Sequence, residues 1–281
     1  NIRAMRNLFV CGILILAALA SSCGKENGDE PKKPTPSTST HYVKTIEWGY
    51  YDLDSNGNPE FYGADEFINF TLDNQKRMTK ISGQYLDENE ALTTGMEINI
   101  AYGKGTAVVT FSIEDEGTFS IDCETNDKGA ITKATIEDEG IMLVEKYEYD
   151  ADNRLVRATM GMEGDGESIP DIYEFLFEWE DGNIKYITAN MMGEATTYEH
   201  IYTEENNPYN IDYTFSASYA ELPIILSIVQ MNDGIFGEPN RSLYVGCTDY
   251  EEDNFKYSFK DNGEVSLCYD NNGYALRFIC F

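Results

Sequence analysis

The run Asp52-Leu-Asp54-Ser-Asn56-Gly57-Asn58-Pro-Glu60 places oxygen-bearing side chains at alternate positions around a glycine. That spacing resembles the first half of a calcium loop, because a hard cation takes about six to eight oxygens and glycine permits the sharp bend. The twelfth position is Gly63 rather than a bidentate Glu, so Glu60, Asp65 or Glu66 would have to complete the shell. The plainer reading of these residues is a hairpin turn between Tyr51 and Phe61. Calcium held by Asp52, Asp54, Asn56, Asn58 and Glu60 is the one cofactor the sequence suggests. A second chemistry is stacking: Trp48, Tyr50, Tyr62 and Trp179 could lie against sugar rings if they line a groove. Core and cross-strand packing is the competing use of such rings.

Catalytic constellations are sparse. His41 and His200 are the two histidines in 281 residues, and no Gly-x-Ser-x-Gly elbow occurs, which argues against a hydrolytic triad. Fifty Asp and Glu against twenty Lys and Arg give a net charge of −30. With so many carboxylates, pairs arise by chance and none stands out as a glycosidase pair. A carbohydrate-active enzyme using a carboxylate pair is therefore the alternative function, with no catalytic residue assigned. The acidic balance excludes a nucleic-acid partner, since there is no basic footprint to replace counterions, and it disfavours anionic ligands.

The elements that must position these residues follow a two-residue period. In Tyr173-Glu-Phe-Leu-Phe-Glu-Trp179 the odd positions are all aromatic, and similar alternation recurs at Ile98/Ile100/Tyr102, Val109/Phe111/Ile113 and Ile211/Tyr213/Phe215. Turn chemistry separates the runs, as in Asp54-Ser-Asn-Gly57, Asn126-Asp-Lys-Gly129, Asp150-Ala-Asp-Asn153 and Asp270-Asn-Asn-Gly273. The pattern predicts an all-β fold of roughly a dozen strands, an antiparallel meander curled into a barrel or half-barrel. At most one short helix is expected, over Tyr219–Asn232, where Pro223 suits a first turn. Glu148, Glu174, Glu178 and Lys44 on the second face argue against a membrane-spanning barrel. A three-residue loop after Asp270 sets Cys268 opposite Leu276 and leaves Cys280 too far from Cys268 for a disulfide. Any bridge would involve Cys123 or Cys247, and buried thiols are the other outcome.

The N-terminal segment reads as an address. Arg3 and Arg6 precede an apolar run from Leu8 to Ala20, too short to span a bilayer, and Ala20-Ser21-Ser22 then precedes Cys23. This resembles the lipobox of bacterial lipoproteins, with Ala20 where Leu is usual. The resemblance implies a signal peptide over 1–22, with Met5 as its start, and lipidation at Cys23. Acyl chains at about 0.8 kcal/mol per buried CH₂ would then hold the protein on a membrane. Residues 23–40, rich in Pro, Ser and Thr, read as a flexible tether, and 41–281 as a single all-β domain. Acidic residues close behind Cys23 resemble the export signals of surface lipoproteins in Bacteroidetes.

Taken with Tyr147-Glu-Tyr-Asp-Ala-Asp-Asn-Arg-Leu155 and Leu222-Pro-Ile before Asp233-Gly-Ile-Phe-Gly237, the chain resembles uncharacterised Bacteroidetes lipoproteins whose domain of unknown function has a porin-like β fold. The hairpin unit also resembles YD repeats. The resemblance implies a barrel-like sheet and supplies no catalytic residues. The expectation is a lipid-anchored outer-membrane protein, surface-exposed or, alternatively, facing the periplasm. It would act as a non-catalytic binding or interaction module whose partner is a glycan or an envelope protein.

Overall fold

The computed structural model describes residues 41–114, 117–138, 141–164, 167–191, 193–209, 236–248 and 254–281. The expected signal segment, Cys23, the tether, the alternating run Ile211/Tyr213/Phe215 and the candidate helix over Tyr219–Asn232 lie outside the described residues. The described residues form sixteen strands: β1 (Val43–Leu53), β2 (Pro59–Leu72), β3 (Met78–Leu86), β4 (Leu92–Tyr102), β5 (Thr106–Ile113), β6 (Gly117–Thr125), β7 (Ile131–Asp138) and β8 (Ile141–Tyr149) make one half. The other half is β9 (Leu155–Gly164), β10 (Glu167–Glu180), β11 (Asn183–Met191), β12 (Glu194–Asn206), β13 (Ser242–Cys247), β14 (Lys256–Phe259), β15 (Val265–Tyr269) and β16 (Tyr274–Cys280). No α-helix occurs among the described residues.

One device closes six of the hairpins. In the first, Asp54 N–H bonds the Asn58 carbonyl, Gly57 N–H bonds the Asp54 carbonyl, and Asp54 Oδ1 accepts from Asn56 and Asn58 N–H. Asp73, Asp87, Asn126, Asp150 and Asp270 each accept in the same way from the residues two and four positions on. The side chain thus supplies the acceptor that an isolated tight turn lacks.

Each strand pairs antiparallel with its sequence neighbour from β1 to β13 and from β14 to β16, and β1 also pairs with β16. The meander curls into a nearly closed barrel. Its seam lies between β13 and β14, where Phe255 N–H bonds the Val245 carbonyl and Tyr257 donates its hydroxyl to the Tyr244 carbonyl. Across one end, His41 N–H bonds the Pro208 carbonyl, while Tyr209 stacks on Phe278 with centroids 4.6 Å apart and donates to the Val265 carbonyl. That end, the floor, also carries the turns after β2, β4, β6, β8 and β10. The opposite end, the mouth, carries the turns after β1, β3, β5, β7 and β9.

The inner face is apolar. Ile46, Ile98, Phe111, Ile121, Phe175 and Ile187 belong to one buried cluster fed by strands from all around the barrel. Burying such a side chain stabilises by about 1.5–3 kcal/mol. The outer face is polar. A hydrogen-bonded ladder runs Thr45–Asn69–Gln84–Thr94 over β1 to β4, and Arg157 on β9 pairs with Glu148 and Glu174 on the strands to either side. Lys80–Glu97, Lys185–Glu199 and Arg277–Glu47 continue the pattern. A lipid-facing barrel needs the reverse, an apolar outer band around a polar lumen.

The core does not reach the mouth on every side. No residue of 50–69 or of 82–97 is buried, so the β1–β2 and β3–β4 hairpins rise above the packed interior as arms.

Candidate functional site

The arms place aromatic rings on the inner face of the mouth. Across β16, β1 and β2, the register sets Ile46 opposite Phe278 and Ile68, Trp48 opposite Leu276 and Glu66, and Tyr50 opposite Tyr274 and Tyr62. Residues directly opposite share a face, and alternation from the core residue Ile46 makes that face the inner one. Tyr50 therefore sits between two rings, 5.4 Å from Tyr274 and 6.2 Å from Tyr62, tilted by 38° and 32°. The three rings form an open arc in which Tyr50 is 38% and Tyr62 56% exposed. Trp48 and Glu66 lie one step deeper, with Tyr85 opposite Glu66 on β3. Nine large apolar side chains are exposed among the described residues; Ile279 and Phe281 lie at the floor and the rest at the mouth. This gathering makes the mouth the candidate interaction face.

A bulge brings carboxylates to this arc. The β1–β2 register shifts between Trp48 and Tyr50, so that β2 carries extra residues there. Gly63 takes φ of 65°, and Gly49 opposite has no Cβ; one built there would meet the Gly63 carbonyl oxygen at 2.8 Å. The bulge delivers Asp65, whose Oδ2 accepts from the Tyr50 hydroxyl at 3.4 Å. The Asp65 charge, followed by burial, holds the Tyr50 hydroxyl above its ordinary pKa. Burial first, then Asp65, raises the Glu66 carboxyl. On the next arm Tyr85 donates to Glu114 Oε2 at 2.9 Å.

Of the residues expected to stack, the structure brings together Trp48, Tyr50 and Tyr62. Trp179 lies at the floor end of β10, where Nε1 donates to the Leu155 carbonyl at 2.7 Å, so it is not part of the arc. Tyr274 is the ring that sequence reasoning left out. It joins only because the last strand pairs with the first.

The candidate calcium residues sit at the tip of the first arm. Asp54 is committed to its own turn, accepting from two backbone N–H groups and from Asn58 Nδ2. The Asn58 backbone N–H is the leading cause of its lowered pKa. The same turn forms at five other places whose sequences lack the calcium pattern. Among the described residues no group of three or more His, Cys, Asp or Glu could hold a metal ion. Asp52, Asp54, Asn56, Asn58 and Glu60 thus lie at a hairpin tip, with Asp54 turned to its own turn.

Several other polar groups are engaged within the fold or buried in it. Tyr147 donates to the buried Glu145 at 2.5 Å, and Tyr149 to the Ile131 carbonyl, at the back of a shallow depression of about 400 Å³ near the floor. His200 is buried with its ring 5.3 Å from Tyr244, and burial pushes its pKa down to about 4. His41 lies at the floor, 3.8 Å from Glu264. Cys123, Cys247, Cys268 and Cys280 form no disulfide, and Cys268 sits opposite Leu276 as the loop arithmetic requires.

These features define an all-β antiparallel barrel with an apolar interior, a charged exterior and an aromatic mouth. Among solved structures, the chain is similar to a porin-like protein from Bacteroides uniformis, with a TM-score of 0.61 and 18% identity over 85% of this chain and 100% of that one. At that identity the likeness is one of fold. No family model matches the sequence, and no curated protein matches it. Neither the structure nor the comparisons support an enzyme with a carboxylate pair.

Proposed function

We propose that the protein is a non-catalytic binding module of the bacterial cell envelope, carried on the outer membrane by a lipid at Cys23 and facing the cell exterior. The observation that carries the reading is the polarity of the barrel. Its charged outer wall belongs in water, its inner face carries a buried apolar cluster, and most of its exposed apolar groups gather at the mouth. A barrel without an apolar outer band lacks the lipid-facing surface of a spanning barrel, which is what favours a separate anchor. The small residues before Cys23 and the polar stretch behind it supply the anchor and its tether. The porin-like neighbour fits an envelope setting.

Protease shaving of intact cells, with mass spectrometry of the released peptides, tests the reading. Release of peptides from 41–281 without lysis is the expected result. Release only after lysis places the domain on the periplasmic side and overturns the surface assignment.

A further inference from the structure

We infer that the Tyr274–Tyr50–Tyr62 arc takes a neutral sugar chain, with Asp65 and Glu66 accepting hydrogen bonds from its hydroxyls. This rests on the mouth being the binding face and names what it binds. Adjacent rings lie 6.2 and 5.4 Å apart and tilted by 32° and 38°, which is not edge-to-face packing, and Tyr50 and Tyr62 keep 38% and 56% of their surface exposed. The weakly positive C–H groups on one face of a pyranose meet the negative faces of such rings. Carboxylates beside the arc are acceptors, and sugar hydroxyls are donors; charge assistance makes these bonds short and strong.

The same groups discriminate against other occupants. An acyl chain would have to bury Glu66 without a donor, which is costly. An anionic glycan would meet Asp65, Glu66 and a chain of net charge −30. Tyr62 is 56% exposed and lies outside the core; its ring contact is with Tyr50, within the arc itself.

The test is calorimetric titration of the full chain with four neutral hexasaccharides (of glucose in β-1,4, β-1,3 and α-1,4 linkage, and of xylose) and with polygalacturonate. Hydroxyl-radical footprinting of Tyr50 and Tyr62 is run alongside. At least one neutral oligosaccharide is expected to bind and to protect both tyrosines, while polygalacturonate does neither. Tyr62→Ala should weaken that binding about 3–10-fold, the cost of one lost ring contact, and Tyr62→Phe should retain it. The ring is exposed, so truncation leaves the fold intact. Failure of every neutral oligosaccharide to bind, or binding indifferent to Tyr62→Ala and Tyr50→Ala together, overturns the inference. Footprinting on the envelope fraction separates the two levels. Protection there but not by the oligosaccharides removes the sugar and leaves the mouth as a binding face; protection by neither removes both.

Discussion

Exchanging one inward and one outward residue on β5 puts the polarity of the barrel to a quantitative test. Phe111 is fully buried, stacked on Phe119 with centroids 4.9 Å apart and paired with Ile98 on β4. Thr110, its neighbour in sequence, points outward and shares a hydrogen bond of 2.9 Å with Ser120. Truncating a buried Phe costs about 3–5 kcal/mol through lost transfer energy and the cavity left behind. Truncating Thr110 removes one hydrogen bond at the surface, under about 1.5 kcal/mol. With a urea m-value of about 3 kcal/mol/M, Phe111→Ala should lower the unfolding midpoint by about 1–1.7 M and Thr110→Ala by under about 0.5 M. Urea titration followed by the fluorescence of Trp48 and Trp179 reads both ends of the barrel. Equal small shifts, or a larger one for Thr110→Ala, would mean that the interior is wet and the argument from polarity is wrong.

Other perturbations reach the turns, the bulge and the thiols. Gly49→Ala forces a Cβ against the Gly63 carbonyl and should destabilise by about 1–3 kcal/mol while shifting Trp48 emission, read by thermal melting and fluorescence. The Asp54 and Asp87 carboxyls lie below their usual range, chiefly through the backbone N–H groups of Asn58 and Ala91. The unfolded chain therefore binds those protons more tightly. The turn contribution is complete above the unfolded Asp pKa, about 3.9, and is lost as pH falls through the lower folded values. Melting temperature against pH should fall on that acid limb, and Asp87→Asn should flatten the fall, because Asn126 fills the same role natively. Burial pushes the Cys123 and Cys268 thiols up to about 12, so maleimide followed by peptide mapping should label half-buried Cys280 before either of them.

Alternation and Asp-to-Gly turns made the barrel legible, and the Cys268–Leu276 register followed from loop length alone. The expected dozen falls short of sixteen in part because two turns lack the usual marker. At 73–77 and 87–91 the left-handed position is filled by Lys76 and Glu90, with φ of 66° and 61°, where Gly or Asn is the recognisable sign. The Asp side chain that caps each turn compensates for that choice. Barrel closure was out of reach for another reason: Tyr209 on Phe278, and β1 on β16, join residues distant in sequence. The site shared both fates. Trp48, Tyr50 and Tyr62 were legible as residue types that stack. Tyr274 needed the closure, and Trp179 resembled them in type while standing at the other end of the barrel.

The account rests on an anchor outside the barrel and a barrel wall that belongs in water. Fractionation of cells carrying the wild-type chain or Cys23→Ala measures this directly. The wild-type chain should pellet with membranes, and Cys23→Ala should appear, folded, in the soluble fraction without detergent. A Cys23→Ala chain that stays in the membrane pellet through a carbonate wash would mean that the barrel itself is the membrane element, and the account would be wrong.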